Sequence, residues 1–319
     1  MKTVFVVNPK AGKGKNIAEL TAEIKKIENT EVYITKAAND GRDFVKQYCE
    51  KNGAARFIAC GGDGTLNEVL NGAIEFEDAE IGVMPIGTGN DFCRNFPECK
   101  DFKNLFAQVN GKTVKCDAIK YITYNDGVKK TGYCDNMLNI GFDCDVADMT
   151  DNIKSKKIAS GSLAYFISIF VMLVKKKCSS LKIEVDGEVK YNGELLLTSL
   201  ANGCYCGGGI KSNPYADLTN GMININIIKN LSRLRFIGLL PSYMKGTFLN
   251  KKNIEKYIDW YNCKNIKITP NKDKIRVSID GEINTSEKLE FEIIKNAFNF
   301  VIPGEFNKEK EHSREEILV

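Results

Sequence analysis

The chain has 319 residues, 43% hydrophobic and 27% charged, the balance of a soluble globular protein long enough for two domains. A net charge of +4 is too small to imply a nucleic-acid partner. The single histidine, His312, lies in the charged run "NKEKEHSREEILV". Ser–His–Asp hydrolysis, Cys–His catalysis and nearly all zinc hydrolysis are therefore excluded, and acid–base work falls to carboxylates, lysines or tyrosines.

The chain opens "MKTVFVVNPKAGKGK", an apolar stretch too short for a signal peptide that enters a strand at once. Strand-like runs at 3–7, 31–35, 56–60 and 80–85 alternate with helical patterns at 15–27, 41–51 and 65–74, which predicts a parallel sheet covered on both faces. After about residue 120, short β-type runs take over. They are punctuated by Asp126-Gly127, Asp186-Gly187, Asn220-Gly221 and Asp280-Gly281, the dipeptides of tight hairpins. Helical segments are expected near 158–177 and 231–245. The longest uncharged run, 158–174, is too short and too polar at its start to predict a membrane span. The eleven cysteines are odd in number and lack a C-x-x-C, which predicts reduced thiols in a cytoplasm. The expected division is an α/β domain over 1–122, an antiparallel β domain over 123–303 and a frayed charged tail over 304–319.

Three glycine-rich segments follow strands of the first sheet. "NPKAGKGKN" fits neither the P-loop nor the dinucleotide fingerprint, and alone reads as a plain strand-to-helix turn. "GGDGT" (61–65) and "PIGTGNDF" (85–92) share glycines, one threonine and one aspartate, and their loops should open at one carboxyl edge, where parallel sheets bind ligands. Glycine lets backbone approach an anion, and threonine donates a hydrogen bond. A carboxylate at Asp63 or Asp91 suits a phosphate site when a divalent cation bridges it to the phosphates. The plainer alternative makes both aspartates simple helix N-caps.

Together with "NIGFDCDVA", "GSLAYF", "ANGCYCGGGIKSNPYADLTNGMININII" and "SIDGEI", in order and over roughly residues 2–303, these segments resemble the diacylglycerol kinase catalytic-domain family of lipid kinases. The resemblance implies a Rossmann-like, NAD kinase/diacylglycerol kinase-like α/β domain that binds ATP. A β-sandwich domain would complete the cleft and the lipid site, with the last residues packing back on the first domain. ATP would touch Asn8, Pro9, Lys10, Ala11, Gly12, Thr35, Gly61, Gly62, Asp63, Gly64, Thr65, Leu66, Asn67 and Thr88. Asp280 would be the general base, with Glu282, Asp63 and Asp91 in the Mg²⁺ and proton network. A structural Mg²⁺ would be held by Asp217, Asn220 and the Met222 carbonyl. Asn220 stands where the family usually has aspartate, which lowers the charge of that site by one.

"EVDGEV" (184–189) and "SIDGEI" (278–283) are nearly the same text, and as sequence both suit a hairpin turn. Only the family's order selects the second as the catalytic copy. Lys154, Lys156, Lys157, Lys175, Lys176 and Lys177 bracket one apolar run, while Lys229, Arg233, Arg235, Lys245, Lys251 and Lys252 surround "FIGLLPSYM". These clusters read either as solvated helix ends or as a face for an anionic membrane surface. The expected activity is phosphorylation of a diacylglycerol-like membrane lipid to phosphatidate by a peripheral membrane enzyme, with a homodimer as the suggested assembly. A sphingoid base, another glycerolipid, a prenol, NAD kinase activity and a non-catalytic lipid-binding regulator are the alternatives.

Overall fold

The computed structural model describes residues 1–12, 17–155, 168, 171, 178–272, 274–280 and 282–304. The helix expected near 158–177, the lysines beside it other than Lys154, and the tail with His312 lie outside the described residues; so do the side chains of Lys154 and Glu282.

Strands β1 (Thr3–Val7), β2 (Thr30–Ile34), β3 (Arg56–Gly61) and β4 (Glu80–Pro85) form a parallel sheet in the order β2-β1-β3-β4. Helices α1 (Ile17–Ile24), α2 (Asp40–Asn52) and α3 (Asp63–Ala73) connect them. The strands are apolar on both faces, as a doubly covered sheet requires. Val4, Val6, Phe57 and Ala59 join one buried cluster with Val69 and Leu70 of α3. Phe5, Val7, Ile58 and Cys60 join the other with Ile24 of α1. Strand order reverses between β1 and β3, which makes their carboxyl ends the switch point where such sheets bind ligands.

A short helix, α4 (Leu105–Asn110), leads into β5 (Lys112–Asn125), β6 (Val128–Cys134) and β7 (Met137–Gly141). Next come α5 (Phe142–Ser155), β8 (Ser179–Val185), β9 (Glu188–Ala201), β10 (Ile223–Lys229) and α6 (Arg233–Met244). Strands β11 (Ile258–Cys263), β12 (Asn265–Pro270), β13 (Ile275–Ile279), β14 (Glu282–Ser286) and β15 (Lys288–Ile302) complete the order. Pairing among β5–β15 is antiparallel. The long β9 uses its first half against β8 and its second half against β7 and β10, so it belongs to both layers of a sandwich. Leu138, Ile183, Leu200, Ile225, Ile268 and Val277 fill the space between the layers.

The two bodies are not joined by a linker. Strand β5 pairs with β15 from Tyr124–Lys288 to Lys112–Ile302, with one irregularity near Ile294, and β15 then lies parallel to β4 at Asn299 and Phe300. The expected boundary at 122/123 falls inside β5.

Asp126-Gly127 (β5–β6) and Asp186-Gly187 (β8–β9) sit between paired strands, and Asp280 directly follows β13, ahead of its partner β14. Each aspartate has positive φ, as a tight primed turn demands. Asn220-Gly221 is different. It ends a loop that runs into β10, where the Gly221 N–H donates to Asp117 Oδ2 at 2.6 Å.

Candidate active site

Three loops meet at the carboxyl edge of the parallel sheet. The first, after β1, is fixed by the Asn8 N–H donating to the Cys60 carbonyl and by Asn8 Nδ2 donating to Thr65 Oγ1 at 3.2 Å. This bond spans the switch point from β1 to the start of α3. Lys10 N–H donates to Asn8 Oδ1, which curls Pro9, Lys10, Ala11 and Gly12 into a turn. The other two loops lie backbone to backbone, since Ile86 and Gly87 N–H both donate to the Gly61 carbonyl. A Cβ on Gly87 would sit 2.4 Å from Gly62 Cα, so only glycine permits this approach. Thr35, buried at the end of β2, donates its N–H to the Val7 carbonyl, and Thr88 is exposed on the loop after β4. The N-terminus of α3 opens among these loops and presents first-turn N–H groups and the positive end of the helix dipole.

Asp91 stands at the N-cap of the short 3-10 helix Phe92–Asn95, but neither aspartate's side chain makes a cap hydrogen bond there. Gly62 is the N-cap of α3, and Asp63 begins its first turn. Asp63 Oδ1 reaches across to accept from the Phe92 N–H of the next loop at 3.1 Å. Asp91 Oδ2 accepts from the Gly208 N–H of the second domain at 2.9 Å, while its buried Oδ1 has no hydrogen bond and faces Arg94 Nε at 3.3 Å. The two carboxylates converge below Gly89, where an added Cβ would lie 2.9 Å from Asp63 Oδ2 and 3.3 Å from Asp91 Oδ2. Burial raises the pKa of Asp63. Burial and the neighbouring Asp63 charge push Asp91 up to about 6.

The second domain delivers Asp280 to the same edge. Its turn, at φ 44°, folds over α3, and Asp280 Oδ2 accepts from Asn67 Nδ2 at 2.7 Å. Its other oxygen accepts from Met137 N at 3.1 Å and Cys134 Sγ at 3.2 Å. Burial raises its pKa, opposed by these hydrogen bonds and by one from Asp135. The twin turn goes elsewhere: Asp186 Oδ1 accepts from the Lys264 and Asn265 N–H groups at the exposed end of the sandwich. The Asn67 amide is thus turned toward the second domain, and Asn71, one helical turn on, exchanges bonds with the Tyr133 N–H and carbonyl.

Asp135, on the turn between β6 and β7, was not among the residues read from the sequence. It is 1% exposed, and its Oδ1 lies 3.5 Å from Asn67 Nδ2, the amide that also donates to Asp280. Its only local signal is a charge between two apolar strand runs in "GYCDNML". Glu68 was missed as well; its carboxylate accepts from the Asn39 and Gly41 N–H groups and fixes the start of α2.

The segment expected to hold a structural metal is closed on itself. Asp217 Oδ1 accepts from Thr219 N and Oγ1, and Asn220 Oδ1 accepts from Met222 N at 2.9 Å. Among the described residues, no three histidine, cysteine, aspartate or glutamate side chains gather as a preformed metal cage.

This chain shares its architecture and much of its length with proteins already characterised by name. Residues 2–121 match the family description "Diacylglycerol kinase catalytic domain", and residues 136–302 match "YegS C-terminal NAD kinase beta sandwich-like domain". The diacylglycerol kinase of Staphylococcus aureus (strain MRSA252) is 31% identical over 314 residues, covering 96% of this chain and 94% of that protein. The diacylglycerol kinase of Bacillus subtilis (strain 168) is 27% identical, covering 94% and 96%. A crystal structure of a diacylglycerol kinase from Bacillus anthracis superposes with a TM-score of 0.66 at 21% identity, covering 94% of this chain and 96% of that one, which establishes the shared fold. The chain belongs to the family of diacylglycerol kinases and related YegS-like lipid kinases.

Proposed function

We propose that the protein transfers the γ-phosphate of ATP to the hydroxyl of diacylglycerol, giving phosphatidate. One observation carries this reading: the second domain sets a half-buried carboxylate, Asp280, 2.7 Å from an α3 residue of the glycine-lined edge. A base so placed is within reach of an acceptor hydroxyl lying between the domains. Asp280 takes the hydroxyl proton as the lipid oxygen bonds to the γ-phosphorus. The bond from that phosphorus to the β-phosphate oxygen breaks, and ADP leaves with the electron pair. The loops at Asn8–Gly12, Gly61–Thr65 and Gly87–Thr88 and the N-terminus of α3 hold the phosphates in line. Such transfer depends chiefly on positioning and charge stabilisation, which needs no histidine.

Mg²⁺ suits the residues present. Half-buried Asp63 and buried Asp91 converge beside Gly89, and Asp91 Oδ1 lacks a hydrogen-bond donor. One or two carboxylates together with substrate phosphates are the usual Mg²⁺ ligand set, so a preformed cage is not required. Bound there, Mg²⁺ would neutralise charge on the phosphates. Asp63 and Asp91 would hold it, while Arg94 offsets the remaining charge on Asp91.

Access to a bilayer lipid calls for a membrane-facing surface, and we assign α6 to it. Leu234 is 84% exposed and Ile237 41%, with Pro241 on the same outward face. No acidic residue occurs from Lys229 to Ile254, a stretch that holds six basic ones. An exposed apolar ridge in a basic setting fits an anionic headgroup layer. No helix among the described residues is long and apolar enough to cross a membrane.

The direct test offers labelled ATP with a panel of lipids in mixed micelles and identifies the phosphorylated product. Labelled phosphatidate is expected. Label in another lipid would move the substrate, and no labelled lipid at all would refute the kinase reading.

A further inference from the structure

The carboxyl groups of Asp135 and Asp280 share one donor: Asn67 Nδ2 lies 3.5 Å from Asp135 Oδ1 and 2.7 Å from Asp280 Oδ2. Two ionised carboxylates so placed repel, and a proton on one of the two relieves that repulsion. The surroundings decide which. Asp280 already receives three donors, from Asn67 Nδ2, Met137 N and Cys134 Sγ, and these favour its charged form. Asp135 has a buried Oδ2 with no donor, and its Oδ1 meets Asn67 Nδ2 at a long 3.5 Å beside its own backbone N–H. An unpartnered carboxylate oxygen away from water is costly, whereas a protonated one becomes the missing donor.

We propose that Asp135 is a positioning residue for the base: it carries the one proton of the pair and donates it to Asp280. The Asp280 carboxylate is thereby fixed toward the acceptor hydroxyl. The inference rests on the reading of Asp280 as the base. During transfer Asp280 gains the lipid proton, so the pair holds two, and one passes to water when phosphatidate leaves.

The charges facing Asp135 work against its ionisation, opposed by its own backbone N–H and the Asn67 amide. Asp280 from the β13–β14 turn and Asp63 from α3 are acidic, and Asn67 is neutral. The thiols of Cys134, Cys93 and Cys116 feel its charge and are themselves pushed up by burial. Burial first, then the Asp280 charge, holds Asp135 well above the usual carboxylate range. The pair therefore titrates as a unit, singly protonated over the working range.

The test uses the full chain, with Asp135→Asn, which retains a donor at every pH, and Asp135→Val, which removes it. Infrared spectra of the unliganded protein at pH 8 should show a protonated-carboxyl stretch that shifts in D2O and is absent from Asp135→Asn. The Asn variant should keep kcat at pH 7 within a few-fold and lose the wild-type decline at alkaline pH, because its amide donor does not ionise. Asp135→Val should lose on the order of 10²-fold in kcat with little change in KM for ATP, the scale of a misplaced catalytic group. Melting curves of both variants separate this loss from unfolding. Absence of an Asn-sensitive band, an unchanged alkaline limb in Asp135→Asn, or full kcat in Asp135→Val would each overturn the proposal. The infrared band needs no substrate. If it vanishes in Asp135→Asn while the wild type phosphorylates no lipid, the proton is where we place it and the kinase reading is what fails.

Discussion

Asn67 and Asp280, 213 residues apart in sequence, meet at 2.7 Å, so a helix of the phosphate-binding domain holds the base supplied by the other domain. Asn67→Leu should therefore cost on the order of 10²-fold in kcat, the scale of losing catalytic alignment, with a smaller change in KM for ATP. Asn71→Leu removes bonds to Tyr133 but none to Asp280. It should lower stability by about 1–3 kcal/mol, the scale of stranding buried backbone groups, and reduce kcat far less. Equal kcat losses in the two variants would reduce Asn67 to a domain latch.

The duplicated turns give an internal control. Asp186→Asn and Asp280→Asn make the same change at the same kind of turn, and asparagine tolerates the positive φ of both. Asp280→Asn should lose about 10²–10⁴-fold in kcat, the usual contribution of a general base. Asp186→Asn should stay near wild type, since an amide oxygen can still accept from Lys264 and Asn265. Equal activities would refute the role of Asp280.

Asp63→Asn should remove most turnover and alter its dependence on Mg²⁺ concentration while leaving the fold intact. The amide oxygen can still accept from the Phe92 N–H, but the charge offered to a cation is gone. Unchanged turnover with an unchanged Mg²⁺ titration would contradict the cation assignment.

Asp91 makes a prediction about stability and pH. Its pKa is raised from an ordinary 3.8 to about 6, so between those values the folded state binds more protons than the unfolded one. Its contribution to stability must then fall as pH rises through this window and level off above it. At about 1.4 kcal/mol per pH unit, the ceiling is about 3 kcal/mol. Asp91→Asn should thus stabilise the unliganded protein at pH 7 and lose that advantage below about pH 4. Denaturant titrations of both proteins at the two pH values measure it, and a pH-independent difference would show that ionisation of Asp91 is not responsible.

On vesicles containing anionic lipid, activity should fall with added salt and with Leu234→Glu. On neutral micelles both effects should be much smaller. Screening shortens the reach of surface charge to about 8 Å at physiological ionic strength. Sedimentation with vesicles reports binding separately from turnover, and equal salt sensitivity on both surfaces would dissociate α6 from docking.

Much of the nucleotide domain was legible because its strands are short apolar runs with glycine at their ends. The expected runs 3–7 and 80–85 coincide with β1 and β4. Helix α3 starts two residues earlier than periodicity suggests, since Gly62 rather than the aspartate is its N-cap. Helix α5 was not anticipated. Its text, "FDCDVADMTDNIKS", is crowded with aspartate, yet Phe142, Val146 and Ile153 are buried at helical spacing. The Asp135–Asp280 contact could not be read from spacing at all. It arises when β7 pairs with β13 and brings two distant turns together, a property of topology rather than of local text.

The last strand also sets the order in which the molecule can be made. Phe298 and Phe300 of β15 are buried with Phe92, and Phe96 stacks on Phe300, all within the core of the N-terminal domain. A ribosome releases those two rings only after the whole sandwich has been synthesised. Until then the β4 side of the parallel sheet lacks its neighbour, and a nascent nucleotide domain exposes the apolar surface those rings would cover. Domains that can fold during synthesis do so from the N-terminus onward. This one must wait for its final strand, so both halves of the cleft acquire their native packing together, after translation of β15.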